Sequence, residues 1–86
     1  MISGRAVICG DVGLHARPAA DFVRHAERFR SKVRVARDGM WVNGKSILAL
    51  LTLAAEKGTE LQLEVDGPDE QEAFPVLKGR LEQRDA

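Results

Sequence analysis

The segment Gly13-Leu14-His15-Ala16-Arg17-Pro18-Ala19 brings a glycine, an imidazole and a guanidinium close together in the chain. A helix is expected to start here. Ala16, Ala19, Ala20, Val23, Ala26 and Phe29 recur at helical spacing, and Pro18 falls in the first turn, where a missing N–H costs nothing. His15 then lies at or next to the N-cap. The first-turn amides of Ala16 and Arg17 point outward without partners, and the helix dipole favours negative charge there. Gly13 frees the backbone just ahead, and Arg17 can bring its guanidinium to the same spot. These parts make an anion site of the kind that holds phosphate. The positive helix end also disfavours an imidazolium, and a neutral ring offers a free nitrogen as nucleophile. A reversible phosphohistidine at His15 follows from this chemistry. A surface or capping histidine fits the same position, and both readings stand at this point. His25 is mid-helix, without comparable company, and reads as structural.

The second constellation is Val42-Asn43-Gly44-Lys45-Ser46-Ile47-Leu48. Ser46 is placed to cap a short helix running to about Ala54, and capping is its default role. That helix has almost no polar face: Ile47, Leu48, Ala49, Leu50, Leu51, Leu53, Ala54 and Ala55 follow one another. Packed on one side of a small sheet, it cannot bury them all. Some should remain as an exposed patch of the kind that meets partners, unless the helix lies deeper.

Other chemistries find little support. Gly44-Lys45-Ser46 lacks the upstream glycine of a P-loop. Cys9, His15 and His25 have no recognised metal spacing, and no metal or organic cofactor is expected. Thirteen Lys+Arg balance thirteen Asp+Glu, and the chain has three Phe, one Trp and no Tyr, which disfavours nucleic acid as a partner. Cys9 is the only cysteine among 86 residues, so no disulfide framework exists, and a reducing, cytoplasmic compartment is expected. No apolar run is long enough for membrane insertion, and Met1-Ile2-Ser3-Gly4-Arg5 has no secretory-leader layout.

The elements that must position these residues read as β-α-β-β-α-β-α in one domain, 1–86. In 59–66, Leu61, Leu63 and Val65 alternate with Glu60, Gln62, Glu64 and Asp66, the pattern of a half-buried strand. Lys32 to Arg37 alternates likewise, Asp38-Gly39 is a hairpin turn, and Met40-Trp41-Val42 follows. Arg5 to Cys9 reads as the first strand. Lys32 and Arg34 are expected opposite Glu60, Gln62 and Glu64. The first helix is expected from Ala16 to about Arg30, with Arg28 and Arg30 at its C-terminal end. A third should start near Asp69, with Asp69 and Glu72 as a capping box, and Pro75 should kink it. Trp41 is either a packing residue or half-exposed on the outer face. One-sided strands call for an antiparallel sheet with helices on one face, an α+β domain.

With these residues in view, the chain resembles HPr, the histidine-containing phosphocarrier family of the bacterial phosphoenolpyruvate-dependent phosphotransferase system. Residues 13–19 resemble the family's phosphohistidine signature, and residues 42–48 its serine-site segment. The likeness covers essentially the whole chain in the same order. It implies an open-faced β-sandwich, a four-stranded antiparallel sheet with three helices on one face. It further implies that His15 accepts a phosphoryl group on Nδ1 from enzyme I and passes it to an enzyme IIA-type domain. Arg17 would steady the phosphate. Ser46 corresponds to the site of HPr kinase/phosphorylase, and Ile47, Leu48 and Leu51 would dock partners. Such a protein is a stoichiometric carrier rather than an enzyme, a monomer serving sugar uptake, nitrogen-linked regulation or both. Three departures from the family pattern are Val12 near the phosphate, Ala49 in place of a common glycine, and Pro75 with Gly79 in the last helix. The rival reading is a regulatory binding protein of the same fold, acting through Ser46.

Overall fold

The computed structural model describes residues 1–10 and 13–83. Val12 therefore lies outside the described residues. The elements are β1 (Ile2–Val7), α1 (Ala16–Ala26), β2 (Lys32–Arg37), β3 (Met40–Asn43), α2 (Ile47–Leu51), β4 (Glu60–Asp66) and α3 (Glu70–Glu82). They form an antiparallel sheet in the order β1-β4-β2-β3, with the helices packed on one face. This is the expected α+β open-faced sandwich.

Alternation sets which face is wet. Val33, Val35, Leu61, Leu63 and Val65 point inward and are buried. From α1 they meet Ala19, Phe22, Val23 and Ala26, with Leu50 and Leu53 from the α2 region and Ala73, Leu77 and Leu81 from α3. Phe22 is fully buried. Truncating such a side chain costs about 3–5 kcal/mol. The outward face carries the charges. Arg34 stands opposite Glu64 and bonds it, with Nη2 at 2.6 Å from Oε1. Arg34 also lies 4.7 Å from the centre of the Trp41 ring, so Trp41 is half-exposed on the outer face. Asp38 and Gly39 both take positive φ, 51° and 82°, as a tight hairpin turn requires.

Several expectations are corrected. Lys32 stands opposite Asp66, and Glu60 faces Val7 of β1 and pairs with Arg5. The first strand begins at Ile2 rather than Arg5, because its inward position Gly4 sits under the Phe74 ring and gives no apolar signal. α1 ends at Ala26, so Arg24 and His25, not Arg28 and Arg30, occupy its last turn. Tight turns follow, with Arg28 N and Phe29 N donating to the carbonyls of His25 and Ala26, and the Asp69 carboxylate then captures the amides of Arg30 and Ser31, at 2.8 and 3.0 Å. The Asp69–Glu72 capping box consequently does not form. Asp69 is the N-cap but its side chain makes no cap bond, and Glu70 accepts from Gly67 N instead, at 3.1 Å. α2 stops at Leu51, and the following turns end in Ala54 with φ 51°. The Arg37 guanidinium holds that exit through the carbonyls of Leu53 and Ala54. α3 runs unbroken past Pro75 and Gly79. Pro75 lies on an exposed stretch, where water can satisfy the carbonyl that lacks its N–H. Among the described residues, no helix is long and apolar enough to cross a membrane.

Candidate functional site

The site is built at the start of α1, where Ala55, beyond α2, and Gln83, at the end of α3, hold the entry segment. Leu14 is buried and fastens the entry segment to the core. Its N–H donates to the Ala55 carbonyl at 2.8 Å. Gly13 takes φ 71°, and a Cβ there would lie 2.7 Å from the same Ala55 oxygen. Only glycine fits that position. Beyond it Leu14 goes in, and His15, whose own backbone is extended, comes out.

His15 is the N-cap of α1, with φ −123° and ψ −162°. Its carbonyl accepts the helical bond from Ala19 N at 2.9 Å, while its ring makes no cap bond and is exposed. The capping alternative for this histidine therefore falls. Among the described residues, nothing accepts from the amides of Ala16 and Arg17, and no ion pair engages the Arg17 guanidinium. The first turn carries no acidic residue. The start of this 11-residue helix thus favours an anion beside His15, with open amides at Ala16 and Arg17 and no carboxylate in its first turn. His25 is used differently, with Nδ1 2.8 Å from the Asp21 carbonyl.

Ser46 is the N-cap of α2, and its hydroxyl accepts from Ala49 N at 3.2 Å. The capping role is thereby seen directly. Beyond it, Leu48 is 77% exposed and Ile47 39%, while Leu50 is fully buried and Leu51 is packed partly against the core. Leu48 and Ile47 thus form an exposed apolar patch, with Leu51 at its half-buried edge. α2 packs against α1, and the residues leaving α2 hold the residues entering α1, so patch and histidine share one part of the surface. Two contributors had no signal in the sequence pattern. Ala54 adopts a left-handed conformation that glycine usually marks, and Gln83 reaches the site from the far end of the chain. Among the described residues, no three His, Cys, Asp or Glu side chains gather as metal ligands.

The family model for the PTS HPr component phosphorylation site matches residues 2–83. The chain belongs to the HPr family. The phosphocarrier protein HPr of Neisseria meningitidis serogroup A is 46% identical over 77 residues, covering 90% of this chain and 86% of that protein. The HPr-like protein Crh of Bacillus subtilis is 43% identical over 83 residues, covering 96% and 98%. The crystal structure of HPr from Bacillus anthracis superposes with a TM-score of 0.88 at 35% identity, covering 92% and 94%. A crystal structure of Crh, at TM-score 0.78 and 43% identity over 96% and 95%, is described as a swapped, intertwined dimer. The HPr family is one of phosphocarriers of the phosphotransferase system.

Proposed function

We propose that this chain is a stoichiometric phosphoryl carrier in which His15 is the acceptor. The observation that carries the reading is an exposed His15 at the N-cap of α1, next in the chain to the amides of Ala16 and Arg17, from which no described residue accepts, with no acid in the first turn. The Nδ1 lone pair attacks the phosphorus of phospho-enzyme I. The N–P bond forms as the bond to the donor breaks, and the other ring nitrogen keeps its proton. The Ala16 and Arg17 amides and the Arg17 guanidinium hold the phosphoryl oxygens. An enzyme IIA-type domain then takes the group by the reverse displacement. Ile47 and Leu48, with Leu51 at the edge, dock both partners. The protein works as a cytoplasmic monomer, because His15 must meet successive partners; light scattering at working concentration tests this against a Crh-like dimer. Transfer from phosphoenolpyruvate through enzyme I, present in the wild type and absent in His15→Ala, tests the acceptor assignment.

A second function is regulation through Ser46, favoured by the similarity to Crh along nearly the whole chain. The hydroxyl already faces Ala49 N, so a phosphate placed there by HPr kinase/phosphorylase keeps that donor. It also sets about two negative charges beside Ile47 and Leu48. Docking of the same partners should weaken. Equal phosphorylation rates for wild type and Ser46→Asp would remove this reading.

A further inference from the structure

Gln83 closes α3 in an unexpected way. It is the C-cap residue, at φ 59° and ψ 35°, a left-handed conformation that favours glycine. Its Nε2 donates to the carbonyl of Gly13 at 2.8 Å, across 70 positions of sequence. The same side chain lies over Gly10, where a Cβ would come within 1.7 Å of Gln83 Oε1 and 2.8 Å of Cδ. Gly10 thus leaves the room that lets the amide reach Gly13. The neighbouring turn of α3 is fastened to the same segment. The Glu82 carbonyl accepts from Cys9 N at 3.0 Å, and its carboxylate accepts from Val7 N at 3.2 Å.

The two ends of one peptide unit are therefore gripped from opposite sides. Between Gly13 and Leu14, the oxygen is held by Gln83 and the N–H by Ala55 at 2.8 Å. This is the last peptide before the one that carries the His15 nitrogen. Its plane sets the direction in which the backbone enters the N-cap, and hence where the ring stands relative to the first-turn amides. Phosphoryl transfer depends on such placement far more steeply than folding does.

We infer that Gln83 is a positioning residue for phosphoryl transfer, holding the Gly13–Leu14 peptide so that the His15 ring faces the phosphate site. This rests on the reading of His15 as the acceptor. The test uses the full chain with enzyme I charged by phosphoenolpyruvate, and compares wild type, Gln83→Gly and Gln83→Glu. Glycine suits the left-handed cap and removes the grip; glutamate keeps the size but offers the Gly13 oxygen no donor at neutral pH. The Gly variant should keep or raise the wild-type Tm. Both variants should take phosphate about three- to tenfold more slowly at a temperature where all three are fully folded, the size of one lost hydrogen bond. Wild-type rates in both variants, or a rate loss that follows the fraction unfolded, would overturn the inference alone. Absence of phosphate on the wild type, with an enzyme I of demonstrated activity, would remove the acceptor reading and this inference with it.

Discussion

Gly13 and Ala55 approach so closely that a Cβ on the glycine would lie 2.7 Å from the Ala55 oxygen. With φ at 71°, the position is closed to other residues on two independent grounds. Gly13→Ala should cost about 1–3 kcal/mol of stability. It should also slow phosphorylation more than the same loss of stability introduced at Phe22, because only the glycine lies beside the N-cap. Chemical unfolding paired with a transfer assay checks both.

Arg17 has no ion-pair partner among the described residues and an exposed side chain. Arg17→Ala should leave stability within about 0.5 kcal/mol of wild type. It should reduce the rate of phosphoryl acceptance about tenfold or more, the scale of a charge-assisted hydrogen bond. Arg17→Lys should recover only part, since an ammonium keeps the charge and loses the planar fork. Stopped assays with phosphoenolpyruvate and enzyme I give the ratios. Unchanged rates in Arg17→Ala would take Arg17 out of the site.

Leu48 is 77% exposed, and its burial in the fold contributes little. Leu48→Asp should be close to neutral for Tm but should raise the KM of enzyme I for this protein. Leu50→Ala, at a fully buried position, should show the opposite pattern, with about 2–5 kcal/mol lost from stability. Similar KM values for the wild type and Leu48→Asp would move the docking surface elsewhere.

Stability should respond to acid through the start of α3. The Ser31 hydroxyl, followed by the Arg30 N–H, holds the Asp69 carboxyl below its ordinary range. The N-terminal ammonium, followed by Gly67 N–H, does the same for Glu70. Folded protein therefore binds fewer protons at these groups than unfolded protein. Their stabilisation is complete above the unfolded values, about 4, and is lost as pH falls through the lowered folded values. Asp69→Asn should flatten the acid limb of a denaturant-unfolding series taken from about pH 3 to pH 7. The amino terminus runs the other way. Its hydrogen bond with Glu70 raises its value, so that contribution is present below about 8 and lost as pH rises through the folded value.

The sheet and the site were legible in the sequence to different depths, for physical reasons. β2 and β4 showed themselves because their inward residues are branched or leucine and their outward ones charged. β1 was displaced because Gly4 takes an inward position beneath Phe74. The segment after α1 is held by Asp69, 38 positions beyond Ser31, which no local pattern reports. His15 was legible because Gly13 and Pro18 bracket a helix start, both local signals. The supports of that start, Ala54–Ala55 and Gln83, act through long-range backbone and amide contacts and left no trace in spacing. The exposed patch was legible from composition alone, since a short helix with no polar face cannot bury every side, but how far each of Ile47, Leu48 and Leu51 is exposed depends on how α2 sits against the core.

The most direct measurement is the intact mass of wild type and His15→Ala after incubation with phosphoenolpyruvate, an active enzyme I and Mg²⁺, before and after mild acid. The account predicts one added phosphoryl group on the wild type, lost in acid, and none on His15→Ala. A phosphate that survives acid, or one that persists in His15→Ala, would contradict it.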